Sequence, residues 1–181
     1  MVGIECIFCW YWIADLCEQE GIDFILGHAL YMKAIHGVKT KHDRIDSLKI
    51  ARLMRGGNFP VAYVYPPQMR ATRDLMRRRN HFVRKRAELP AHIRNTTSQY
   101  NLKPLGTISR PHHRRDKAIA GHCPDSAVQL IVETDVQLIN HYHPIINRLD
   151  KQISALAKGH DAASLHLLKS IKGVGDVLAM P

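Results

Sequence analysis

The sequence predicts a mixed α/β chain, mostly α overall, in which a small parallel sheet and its helices lead into a long helical hairpin. Three observations carry that expectation. Up to about Pro67 short apolar runs alternate with helical patterns, the succession that builds parallel strands with helical crossovers. Two long segments with apolar residues at heptad spacing follow, joined by a stretch rich in Pro and Gly, as in an antiparallel pair of helices with coiled-coil-like packing. The composition also fits: 181 residues, 45% of them hydrophobic and 23% charged, supply a core for one domain and a fraction.

The elements follow in order. Residues 2–8 (VGIECIF) read as a buried strand, and residues 10–20 as a helix that ends at Gly21. Residues 23–26 form a second short strand, and residues 29–36 a brief helix stopped by Gly37. A third helix runs from Asp43 to the Gly56–Gly57 pair, with Ile45, Leu48, Ala51, Leu53 and Met54 on its apolar face. Residues 61–65, bounded by Pro60 and Pro66, are a third strand or an extended linker. From Gln68 to about Thr96 the pattern is helical, with Leu75, Phe82 and Leu89 seven residues apart and Pro90 expected to interrupt or kink it. Residues 101–124 form a loop. The return helix spans residues 126–158, with a stripe of Leu138, Tyr142, Ile145, Leu149 and Leu156 and a kink expected at Pro144. A new element opens at Ser164.

Several classes of protein are excluded. No apolar run reaches the roughly 18 residues of a membrane span. The N-terminal stretch has no basic region and meets Asp15, Glu18 and Glu20 too soon for a secretory signal. Four cysteines do not make a disulfide framework, which points to a reducing, cytoplasmic setting.

Charge supplies the first positive clue. Lys plus Arg number 26 against 16 acids, a formal net charge of +10. Between Arg70 and Lys117 there are 14 basic residues and three acidic ones, so this one segment holds the whole excess. A solvated helix face ordinarily mixes both signs, whereas a nearly pure basic block suits a polyanion. Arg70, Arg73, Arg77, Arg78, Arg79, Arg84, Lys85, Arg86 and Arg94 are the candidate DNA contacts, and Arg predominates, which suits bidentate binding of phosphate.

Carboxylates supply the second clue. Asp43 and Asp46 lie three residues apart at the start of a helix, so both can face one site, although a capping Asp and a first-turn Asp have the same spacing. Glu5 interrupts an otherwise apolar strand, where an ionised group is costly unless paired or bound to metal; a water-facing edge position is the simpler alternative. One acid on a strand and two on a later helix form the oxygen donor set that Mg²⁺ uses in phosphodiester chemistry.

The stretches IECIFCWYWIADLCEQEG, KTKHDRIDSLKIARLMRGG and YVYPPQMRATRDLMRRRNHFVRKRAEL resemble the DEDD-type insertion-sequence transposases related to the Piv DNA invertase, and the resemblance covers nearly the whole chain. It implies three regions. Residues 1–67 would be the later part of a RuvC-like (RNase H-type) catalytic domain, residues 68–160 a basic helical, coiled-coil-like region, and residues 161–181 the start of the C-terminal transposase domain. By resemblance Glu5 matches the family's catalytic Glu, and Asp43 and Asp46 match its last two Asp residues; the three would hold Mg²⁺. The family's first catalytic Asp precedes this Glu and its serine nucleophile lies further on, so the expectation is a piece truncated at both ends without strand-transfer activity of its own. The Glu5 strand should then have an open edge, and GVG at residues 173–175 should make a helix-hairpin-helix-like turn that meets phosphate. The partners implied are DNA, a structured guide RNA and a second copy bound through the helical region. A non-catalytic dimerisation protein built on the hairpin is the alternative.

Other motifs are weaker. Cys6 and Cys9 are spaced as a redox pair, but the flanking WYW and basic middle favour structural cysteines. His112, His113, His141 and His143 lack paired metal-ligand spacing.

Overall fold

The computed structural model describes residues 1–35, 43–105, 122–175 and 178–179, together with the backbone but not the side chains of residues 33–35 and 43. The chain divides into two compact units, Met1–Arg70 and Ala71–Pro181.

In the first unit, β1 (Val2–Glu5), β2 (Phe24–Gly27) and β3 (Val61–Ala62) form one sheet in the order β1-β2-β3. Helices α1 (Trp10–Gln19), α2 (Ala29–Ile35) and α3 (Asp43–Arg55) connect them. β1 and β2 are parallel, as the strand–helix–strand pattern predicts, with Glu5 in register with Gly27. β3 corrects the all-parallel expectation, because it runs antiparallel to β2. The cause is local: the segment after α3 delivers Phe59 against Gly27, and the His28 N–H donates to the Pro60 carbonyl at 2.7 Å. β3 therefore enters from the carboxyl end of β2 and runs back along it.

Helix ends match their glycines. After α1, Gly21 is left-handed (φ 65°) and the Ile22 N–H donates to the Cys17 carbonyl. After α3, Gly57 is left-handed (φ 69°) and the Asn58 N–H donates to the Leu53 carbonyl. Both bonds close the six-to-one loop that glycine permits at a helix C-terminus. The stop expected at Gly37 lies outside the described residues. One face of the sheet packs Ile4 and Leu26 against Trp10 and Ala14 of α1, with Val64 and Tyr65 continuing the cluster.

In the second unit, α4 (Pro67–Gln99), counted from Ala71, packs against α5 (Ser126–Lys169). α4 passes through Pro90 as one helix and ends on Asn101, left-handed at φ 52°. α5 starts at Asp125, whose carboxylate accepts from the Ala127 and Val128 N–H groups. It too runs through Pro144. Its break falls instead at Asp161 (φ −154°, ψ 90°), between the expected end near Lys158 and the new element at Ser164.

The seam also differs from the expected stripe. The buried heptad is Val132, Ile139, Ile146 and Ile153, with Val128, Val136 and Ala157 beside it; of the expected stripe Leu149 packs against this core, whereas Leu138 and Leu156 face solvent. Two sets of aliphatic residues share a period of seven, and the β-branched set meets Ile93, Leu89, Leu75 and Met76 of α4. Periodicity fixes the spacing but not which of two neighbouring rows turns inward. No helix among the described residues is long and apolar enough to cross a membrane.

Candidate functional site

The sheet face opposite α1 holds the first group of candidate residues. Strand side chains alternate, so Gly3, Glu5, Ile25 and Gly27 share that face. Glycine at two of these positions leaves room for side chains that lie against the sheet: a Cβ on Gly3 would meet the thioether of Met54 from α3, and one on Gly27 would meet Met32 of α2 and stand 2.8 Å from Phe59. α3 therefore comes close to the sheet at Gly3 and α2 at Gly27, the register partner of Glu5. Sequence reasoning missed these two glycines, although an isolated Gly inside a strand pattern is a signal of close backbone approach.

Glu5 closes β1 on this face and is half-buried. Among the described residues its carboxylate has no hydrogen-bond or ion-pair partner. Asp46, in the first turn of α3, is half-buried and pairs with Lys49 at 3.7 Å. Asp43 opens α3, but its side chain lies outside the described residues. Among the described residues no group of three His, Cys, Asp or Glu side chains is placed to hold a metal ion. The structure thus puts Glu5 on the strand that α3 packs against and puts both Asp residues at the start of α3.

The second group is the basic stretch of α4. Arg77 and Arg84 are exposed and seven residues apart, and Arg78 and Lys85 form a parallel exposed row beside them. Seven residues of helix advance about 10 Å, so four cations make a compact outward patch. Arg78 lies over the Phe82 ring with its guanidinium carbon 4.5 Å from the centroid. Lys85 also reaches Glu88 at 3.2 Å. Arg94 is exposed further along, while Arg86 is half-buried beside His143 at 3.4 Å. Arg73 lies half-buried next to Asp74.

Two arginines are placed otherwise than expected. Arg70 is 7% exposed, which takes it out of any DNA-contacting set. Its Nη1 donates to both carboxylate oxygens of Asp15 at 2.7 and 2.8 Å and to the Tyr11 carbonyl at 3.3 Å, and its Nε donates to the Tyr65 carbonyl at 2.8 Å. The guanidinium also stacks near the Trp10 and Tyr11 rings, at 5.2 and 5.0 Å. Arg79 is turned to Asp150 of α5, where the ion pair links the two helices of the hairpin. Charge density along the sequence could not distinguish these two from their neighbours. The remaining basic residues of the segment beyond Lys103, and His112 and His113, lie outside the described residues.

At the far end, α5 gives way after Ser170 to a turn with Gly173 at φ 93°, and the Leu178 and Ala179 N–H groups both donate to the Gly175 carbonyl at 3.0 Å. Cys6, Cys9, Cys17 and Cys123 are free thiols. Burial, with Glu133 nearby, raises the Cys123 thiol above its usual value.

A protein-family model described as a transposase, of the DEDD type represented by IS110, matches residues 6–102, more than half of the chain. No curated protein matches it.

Proposed function

Because the chain belongs to the IS110-type DEDD transposases, a family of DNA transposition, we propose that its first unit contributes Glu5, Asp43 and Asp46 to a Mg²⁺-dependent strand-exchange site and that the outward rows of α4 hold the DNA. The observation that carries the reading is Glu5: a half-buried carboxylate, without a partner among the described residues, on the glycine-lined sheet face that α3 packs against. Bound Mg²⁺ would supply charge neutralisation at the attacking and leaving oxygens of a phosphodiester. The chain's own part is to fix three acids from one strand end and one helix start, with Gly3 and Gly27 setting how closely the helices approach.

The DNA-binding set is Arg73, Arg77, Arg78, Arg84, Lys85, Arg86 and Arg94, without Arg70 and with Arg79 committed to the hairpin. A structured guide RNA is a second polyanion that the same rows would hold. We assign residues 1–67 to a RuvC-like catalytic region, 68–160 to a basic helical region and 161–181 to the opening of a C-terminal transposase domain, in a cytoplasmic protein. A second copy bound through the helical region is supported by the outward Leu130, Ile131 and Leu138 of α5; Leu138→Glu should then lower the mass seen by light scattering without DNA.

The decisive experiment is duplex binding by fluorescence anisotropy across a salt series. Several phosphate contacts predict an affinity loss on the order of 10³-fold between 50 and 200 mM salt. Combined Arg77→Ala, Arg78→Ala, Arg84→Ala and Lys85→Ala substitutions should flatten the slope by about one per lost contact. Glu5→Gln should weaken Mg²⁺ binding measured by calorimetry while leaving that slope unchanged. A flat titration for the unaltered chain refutes the DNA reading, and Mg²⁺ binding untouched by Glu5→Gln refutes the metal assignment.

A further inference from the structure

The carboxyl end of β2 carries a feature that neither the acids nor the basic rows explain. His28 follows Gly27 directly, and Gly27 is the register partner of Glu5, its carbonyl accepting from the Cys6 N–H at 3.0 Å. With strands about 4.8 Å apart and successive Cα atoms 3.8 Å apart, the His28 and Glu5 Cα atoms lie about 6 Å from one another. The imidazole stacks on Tyr31, ring centroids 4.5 Å apart and planes 33° to each other. Tyr31 is 60% exposed, and Leu30 beside it in the chain and Val61, the register partner of Gly27 on β3, are exposed as well.

Two points make this more than surface decoration. The buried Nδ1 of His28 has no hydrogen-bond partner, a state that costs free energy and that a phenyl ring in the same place would avoid. Second, the exposed aromatic pair stands outside the carboxyl ends of two parallel strands, where open α/β sheets receive their ligands.

We propose that Tyr31, backed by His28, is a stacking platform for an unpaired DNA base beside the Glu5 site. Aromatic faces take any base, because every base offers a π surface. Strand exchange breaks pairing at the point of reaction, so a base freed there would meet the aromatic face that follows the strand paired with Glu5. This inference rests on the DNA reading given above, and it concerns aromatic rings outside the basic rows of α4.

The test uses the full chain and two DNA probes of one length: a fully paired duplex and the same duplex with a single unpaired 2-aminopurine, whose fluorescence is quenched on stacking. Quenching is expected with the unaltered chain and with Tyr31→Phe, and its loss with Tyr31→Ala. Tyr31→Ala should also weaken binding of the unpaired probe by about fivefold or more while affinity for the paired duplex stays unchanged. His28→Phe should preserve quenching and His28→Ala should reduce it. Equal quenching by Tyr31→Ala and the unaltered chain overturns the platform, as does quenching by an RNA probe but not by the DNA one. Duplex binding without quenching overturns this inference alone, whereas failure to bind either DNA probe overturns it together with the DNA reading.

Discussion

Arg70 shows how far a residue's role depends on what the fold places beside it. It is the first cation of the basic segment, yet its guanidinium is enclosed by Asp15, two backbone carbonyls and two aromatic rings. The Asp15 side chain is 39% exposed, which moderates the pair, so Arg70→Ala should cost about 1–3 kcal/mol of stability. Arg70→Lys should recover only part of it, since one ammonium cannot serve Asp15 and the Tyr65 carbonyl from two edges of a planar group. Thermal unfolding measures both, and the salt slope of DNA binding should not change in either variant. Unchanged melting with a reduced slope would return Arg70 to the DNA-contacting set. Sequence alone made Glu5 legible, because an acid in an apolar strand stands out. It could not separate Arg70 from Arg77, since their difference lies in Asp15, Tyr11 and Tyr65, which are distant or irregularly placed in the chain.

The elements were legible where a local rule decides them and obscure where packing does. Gly21 and the Gly56–Gly57 pair mark the ends of α1 and α3 because those turns need a left-handed residue. Pro144, by contrast, does not end α5, and the interruption is at Asp161. There the carboxylate accepts from the Ser164 N–H at 2.9 Å, which restarts the helix as an N-cap. Hydrogen bonds from the Ser164 hydroxyl and then from its N–H hold the Asp161 carboxyl below its ordinary value. A carboxyl lowered in the folded state stabilises above its unfolded pKa, and that contribution fades as pH falls through the lowered folded value. Circular dichroism should therefore show helix lost by Asp161→Ala at neutral pH and largely kept by Asp161→Asn, whose amide oxygen caps equally well. In strongly acidic solution the unaltered chain should approach the Asp161→Ala variant. Equal helicity of Asp161→Ala and the unaltered chain at neutral pH would show that the cap contributes nothing. The inward row of α5 was the least legible element, since only contact with Ile93 and Leu89 selects Val132 and Ile139 over Leu138.

Across the whole molecule the charge is strongly polarised. Residues 1–32 contain five acids and no Lys or Arg, while the chain as a whole is at +10 with an isoelectric point near 9.7. Net charge governs association with polyanions rather than fold. The full chain should elute from a heparin resin well above physiological ionic strength, and the variant lacking Arg77, Arg78, Arg84 and Lys85 should elute earlier. Co-elution of the two would place the polyanion-binding surface elsewhere.

β1 lies at the rim of its sheet, bonded to β2 alone among the described strands. Its outer rail of amides is a template on which an added extended segment would be read residue by residue. A fourth strand laid there would move Glu5 from the margin to the interior of a wider sheet and bring a fresh row of side chains alongside it. Whatever donates that segment, in cis or in trans, gains a direct route to altering the acid's surroundings.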